Sequence, residues 1–127
     1  MDAQGNLYGT TSEGGASNDG VVFTVSSKGK FVVLCSVSGA YGANPGAGLI
    51  MDAQGNLYGT TSEGGASNDG VVFKVSKGKE TVLYSFTGGA DGAKPEAGLI
   101  MDAKGNLYGT TGQGGASNDG VVFKLTP

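Results

Sequence analysis

The chain contains no histidine, no arginine and no tryptophan. Without an imidazole, Ser-His-Asp and Cys-His catalysis and His-bearing zinc sites are excluded. Without a guanidinium, so are bidentate arginine clamps on phosphate. One cysteine, Cys35, excludes an intramolecular disulfide and any multi-cysteine metal site. There are only three prolines, and no G-X-Y period runs through the 26 glycines, so collagen is excluded. No apolar run reaches the length of a membrane helix, so no membrane span is expected. No basic start leads into an apolar stretch, so no secretory signal is expected in this chain. A net charge of −3 argues against nucleic acid, whose binding needs clustered cations.

What remains is small and glycine-rich. Leu, Ile, Val and Phe together supply 27 of 127 residues, enough for one domain with a thin core. Internal repetition dominates the chain. Residues 1–23 recur unchanged as 51–73, and again as 101–123 with Lys104, Gly112 and Gln113 in place of Gln4, Ser12 and Glu13. The units are 1–50, 51–100 and 101–127. Between these segments, Lys28–Gly39 aligns with Lys77–Gly88 at an offset of 49. Ser27 is extra in the first copy and Gly89 in the second, which marks both points as turns. Near-identity of this kind reports recent duplication or design.

Helix is disfavoured, because glycine and β-branched residues prevail and no 3.6-residue apolar stripe persists. Four strands fit one unit: A over Ala47–Ala53, B over Asn56–Ser62, C over Gly70–Ser76 and D over Glu80–Thr87. In C, Val71, Phe73 and Val75 share one face, with Lys74 and Ser76 opposite. In D, Val82, Tyr84 and Phe86 are expected on one face. Ala53–Asn56, Glu63–Gly70, Lys77–Lys79 and Gly88–Ala97 supply the turns. Four antiparallel strands per unit of about 50 residues describe a β-propeller blade, with a β-solenoid and a sandwich as competing readings. The expected fold is therefore all-β: one propeller arc over residues 1–127 with about three four-stranded blades, the last incomplete.

The strings GNLYGTT, GVVFKLTP and VLYSFTGGADGAKPEAGLIMDAKGNLYGTT resemble the GloVer-type tandem repeat of bacterial choice-of-anchor proteins, over essentially the whole chain. The resemblance implies a propeller-like repeat in long, secreted or surface-exposed bacterial proteins. It implies no activity and no catalytic residues. Cys35–Ser38 departs from the pattern, with CSVS where the second copy has YSFT.

About eleven strands are expected: a stub of A with B, C and D, then a full set, then A, B and C. Three blades cannot close a ring, and open blade faces drive association. A homodimer closing one six-bladed ring is expected, with a five-bladed ring as the alternative.

The B–C and D–A loops should share one rim. That rim carries Glu13, Ser17, Asn18 and Asp19, then Glu63, Ser67, Asn68 and Asp69, then Gln113, Ser117, Asn118 and Asp119. Tyr41, Asn44, Asp91 and Lys94 join them. Such carboxylates and amides suit sugar hydroxyls or a hard cation, while Asn-Asp-Gly is equally a turn signal. Asp2, Asp52 and Asp102 end strand A. They offer a carboxylate ring for Ca²⁺ or Mg²⁺, or else begin an Asx-type turn served by Asn6, Asn56 and Asn106. No cofactor is required. Thr10-Thr11 and its copies, Tyr8, Tyr58 and Tyr108, and Cys35 read as packing residues. Gly9, Gly59 and Gly109 inside strand B mark a close approach or a bulge.

Three functions follow. The first is a non-enzymatic binding or display module for carbohydrate or a surface partner. The second is a weak hydrolase using Ca²⁺ or Mg²⁺ held by loop or channel carboxylates. The third is a structural or designed propeller fragment.

Overall fold

A computed structural model describes residues 1–127 as ten strands in three antiparallel sheets, with no helix. The first sheet holds β1 (Leu7–Thr11), β2 (Val21–Val25) and β3 (Phe31–Ser36). The second holds β4 (Ile50–Met51), β5 (Leu57–Thr61), β6 (Val71–Ser76) and β7 (Lys79–Ser85). The third holds β8 (Ile100–Met101), β9 (Leu107–Thr110) and β10 (Val122–Leu125). Strands adjacent in the chain are adjacent in each sheet, so each sheet is an antiparallel meander.

The second sheet is the complete repeat, in the order A-B-C-D. Two expectations about its strands are corrected. Strand A spans Ile50–Met51 and not Ala47–Ala53, since pairing stops where Asp52 turns the chain. The first sheet has no strand A: it begins at β1, and Tyr8 has no partner of the kind Tyr58 finds in Ile50. Ten strands result, not eleven.

Each B–C pair sets a glycine opposite a phenylalanine: Gly9 and Phe23, Gly59 and Phe73, Gly109 and Phe123. The ring lies across the glycine. A Cβ on Gly59 would fall 2.7 Å from Phe73 Cζ and 2.7 Å from Leu49 Cδ2. Close approach, not a bulge, explains glycine there.

The bulge lies between C and D. Val72 faces Tyr84 while Phe73 faces Val82, which leaves Leu83 as the extra residue. The expected grouping of Val82 with Tyr84 and Phe86 is therefore corrected. Val82 borders the core on one side of the sheet. Tyr84 and Phe86 turn to the other, their rings 5.2 Å apart. The first copy repeats this bulge between Val22 and Phe23.

Strand C alternates as expected. Val71, Phe73 and Val75 pack with Val22, Val37 and Leu57, joining the second sheet to the first. Val72, on the opposite face, packs with Tyr58, Phe86, Leu99 and Leu107, joining the second sheet to the third. The middle sheet is thus covered on both faces, and the thin core divides into two layers. Backbone seams repeat at each layer. Ala43 pairs with Glu63 and Ala93 with Gln113. The Thr10 hydroxyl donates to the Ala47 carbonyl at 3.2 Å, and Thr60 to Ala97 at 3.3 Å. Identical sequence yields one stacking step, made twice.

Candidate functional site

The Ala43–Glu63 and Ala93–Gln113 pairings bring the D–A loop of one unit against the B–C loop of the next, on one rim. Within each B–C loop the framework is internally bonded. The Thr11, Thr61 and Thr111 hydroxyls donate to the carbonyls of Glu13, Glu63 and Gln113. They accept from the N–H of Val21, Val71 and Val121. Asn18, Asn68 and Asn118 take left-handed φ values of +58, +58 and +56°. Their Oδ1 atoms accept from the N–H of Gly14, Gly64 and Gly114 at 2.8–2.9 Å. Their amides therefore shape the loop.

Ser17, Ser67 and Ser117 are exposed at the tips, beside exposed Glu13, Glu63 and Gln113. Asp19 and Asp69 are half-buried at the seam, where their carbonyls accept from the N–H of Asn44 and Lys94. Asp119 is exposed. Tyr41 is exposed as well. Asp91 is engaged locally. It accepts from the Tyr84 hydroxyl and from the Thr87 N–H and hydroxyl. Although partial burial opposes it, those bonds hold its carboxyl below the usual range.

The three strand-A aspartates each organise one turn. Asp52 Oδ1 accepts from the N–H of Gln54 and Asn56, both at 2.9 Å. Its Oδ2 accepts from Asn56 Nδ2 at 2.8 Å and the Tyr58 hydroxyl at 3.0 Å. Asp2 and Asp102 repeat the same four bonds. The Asn106 amide, ahead of smaller contributions from Tyr108 and backbone N–H groups, lowers the Asp102 carboxyl to about 2. Asp52 and Asp102 both line a cleft of about 660 Å³ with Tyr58 and Lys104. No three Cys, Asp or Glu side chains are grouped so as to hold a metal ion.

The Asp-to-Tyr bond was not anticipated from sequence, although Asp-x-x-x-Asn-x-Tyr stands in all three units. Nor was Glu80. Its Oε1 is buried without a partner, and desolvation raises its carboxyl to about 7. The Cys35 thiol is pushed up to about 11 by burial and by the Glu80 charge. A thiol so disfavoured as thiolate is a poor nucleophile and a reasonable core filler.

These features define an all-β tandem-repeat protein of stacked antiparallel sheets, with one rim of recurring polar loops. The chain belongs to the family of the Gloeobacter/Verrucomicrobia repeat, which matches residues 1–127. No curated protein sequence matches it. Among solved structures, a Bacteroides uniformis protein provisionally named a 6-phosphogluconolactonase superposes with a TM-score of 0.53 at 18% identity. The match covers 96% of this chain and 35% of that one. A Bacteroides fragilis protein with the same provisional name gives 0.49 at 24% identity, over 84% of this chain and 28% of its own. The chain thus spans about a third of the length of these β-propeller structures. Likeness at such identity speaks for the fold alone.

Proposed function

We propose that this chain is a non-enzymatic binding and display module: a propeller arc whose recurring loops engage carbohydrate or a surface partner. The observation that carries this reading is the construction of the rim. Three loops of nearly one sequence are stiffened by their own Thr and Asn bonds, while Ser17, Ser67 and Ser117 with Glu13, Glu63 and Gln113 face solvent. Hydroxyls and carboxylates on a rigid frame suit sugar hydroxyls. Several equal weak sites gain avidity when engaged together. Titration calorimetry against saccharides selected on a glycan array, with and without Ca²⁺, tests the proposal. Saturable binding that Ser67→Ala and Glu63→Gln together weaken supports it. No binding to any saccharide or bacterial surface polymer overturns it.

The module works best as a closed ring, and a second copy of the chain is the proposed means of closure. The end faces are the two halves of a contact already made inside the chain. Leu57 is 3% exposed, yet its counterpart Leu7 on the first sheet is 52% exposed. Val72 is 0% exposed, yet Val122 on the third sheet is 82% exposed. The face that carries Leu7 has the same residues as the face of the middle sheet that packs on the first, and the face that carries Val122 those of the face that packs on the third, which supports head-to-tail joining. Two copies joined head to tail would bury both and close on six blades.

A further inference from the structure

The rim carries one aromatic side chain that the fold does not use. Four of the five tyrosines donate their hydroxyl to an aspartate: Tyr8 to Asp2, Tyr58 to Asp52, Tyr108 to Asp102 and Tyr84 to Asp91. Those bonds lock each phenol into its own unit. Tyr41 is the exception, 52% exposed and with its hydroxyl unpaired. The copies differ here in a paired way. Tyr41 stands where the second copy has Asp91, and Cys35 where it has Tyr84. The first copy thus lacks the Tyr-Asp clasp and carries its aromatic ring on the D–A loop, not on strand D.

The loop under Tyr41 is fixed from both sides. On one, the Asn44 N–H donates to the Asp19 carbonyl at 3.0 Å and the Val37 N–H to the Gly20 carbonyl at 2.9 Å. On the other, Ala43 and Glu63 exchange backbone bonds of 2.7 and 3.1 Å, and the Gly65 N–H donates to the Gly39 carbonyl at 2.8 Å. The Tyr41 N–H closes its own turn on the Ser38 carbonyl at 2.7 Å. Gly42 is buried against Thr61, where a Cβ would fall 2.7 Å from Cγ2. An exposed ring on so firm a seat loses little freedom when a ligand covers it. Both flanks of this seat, the first and second B–C loops, belong to the interior of the repeat array.

Two carboxylates belong to the same seam. Asp19 is half-buried, its Oδ2 3.8 Å from the Cβ position of Gly39, and Glu63 is exposed at its pairing with Ala43. Their hydrogen bonds run through the backbone and leave both carboxylates free to accept from a ligand. The second seam lacks this combination. Asp91 replaces the ring and is spent on Tyr84 and Thr87, and Gln113 replaces Glu63.

We infer that Tyr41, with Asp19 and Glu63, forms a carbohydrate subsite that stacks the apolar face of a neutral hexopyranose whose ring substituents are all equatorial. The inference rests on the reading of the rim as a saccharide-binding surface and names its principal contact. The electron-rich face of the tyrosine attracts the slightly positive axial C–H groups of such a sugar. The carboxylates accept from its equatorial hydroxyls, which fixes its orientation. The same two charges disfavour a sugar acid or a sugar phosphate.

The chain with isotope-labelled tyrosine rings is titrated by NMR with methyl β-D-glucopyranoside. Methyl α-D-mannopyranoside, which has an axial oxygen on each face, is the control. The Tyr41 signals are assigned by their loss in Tyr41→Phe. The expected result is a saturable shift of the Tyr41 signals, with those of Tyr8, Tyr58, Tyr84 and Tyr108 unmoved. The mannoside should bind more weakly. By calorimetry, Tyr41→Ala should weaken glucoside binding at least about tenfold, whereas Tyr41→Phe, which keeps the ring, should retain most of it. The spectra of the unaltered chain decide the matter if Tyr41→Ala fails to fold. Glucoside binding that leaves Tyr41 unmoved, or that Tyr41→Ala does not weaken, overturns the inference and leaves the reading of the rim in place. Equal binding of the mannoside overturns it too, as does absent binding of the glucoside when other saccharides bind. Absent binding of every saccharide overturns the reading of the rim as well.

Discussion

At the scale of single residues, three near-identical copies make the protein its own control. Gly9, Gly59 and Gly109 lie under the same phenylalanine, but only Gly59 and Gly109 also lie against a leucine, Leu49 and Leu99 respectively. Phe73 is fully buried, whereas Phe23 is half-open and able to swing aside. Gly59→Ala is therefore expected to cost about 1–3 kcal/mol by overpacking, and Gly9→Ala clearly less, as read from urea unfolding midpoints. Glu80 supplies a second contrast. Burial raises its carboxyl from 4.5 to about 7, so between these values the folded state holds a proton that the unfolded state has released. Stability from this group should then be full below about pH 4.5 and fall as pH rises to about 7. Glu80→Gln should remove that slope and stabilise the chain at pH 8 by about 1 kcal/mol, discounted because the side chain is only half-buried. The lowered carboxyls of Asp2, Asp52, Asp91 and Asp102 act in the opposite sense and in a separate window, losing their contribution only in acid. Urea titrations of both proteins from pH 4 to pH 8 measure the difference.

At the scale of elements, hairpin chemistry decides register. In the second copy Ser76 pairs with Lys79 around two residues, Lys77 and Gly78, with φ of +52 and +78°. Both values are those of a type I′ turn, which matches strand twist but suits lysine poorly. Lys77→Asn should raise stability by about 0.5–1 kcal/mol, seen as a higher thermal midpoint. The extra Ser27 of the first copy alters this hairpin. Ser26 and Lys30 bond across a three-residue loop that ends on Gly29 at φ +84°. The insertion is absorbed at the turn, as the offset of 49 between the copies implies. Strands B and C were readable because their alternation is undisturbed. Strand D was misread on one point: a bulge reverses every side chain beyond it, and nothing in ETVLYSFT announces which residue is extra. Strand A shrank because Asp52 commits its carboxylate to the next four residues, ending the ladder two residues after it starts.

At the scale of the whole molecule, the two layers are unequal in what they leave open. Burying a side chain such as Val122 contributes about 1.5–3 kcal/mol, and the first sheet exposes Leu7, Phe31, Val32 and Val33 together. A ring of two chains is expected to show twice the 12.5 kDa of one by light scattering after gel filtration. Val122→Lys should shift the protein to monomer by weakening that contact at least about tenfold. A monomer for the unaltered chain would remove ring closure. The polar rim does not depend on closure, since its loops are braced within each unit and stitched only to the preceding one.

The sequence by itself determined the repeat, the all-β character and the two places where length varies, because these depend on copying, local propensity and turn residues. It also determined that Phe73 and its neighbours face inward, since alternation is a local property of the backbone. Only the tertiary structure decided that Leu7 is open while Leu57 is buried, or that Glu80 is stranded beside Cys35. Those residues differ in what is stacked against them, and stacking is set by neighbouring sheets that no local stretch of chain encodes.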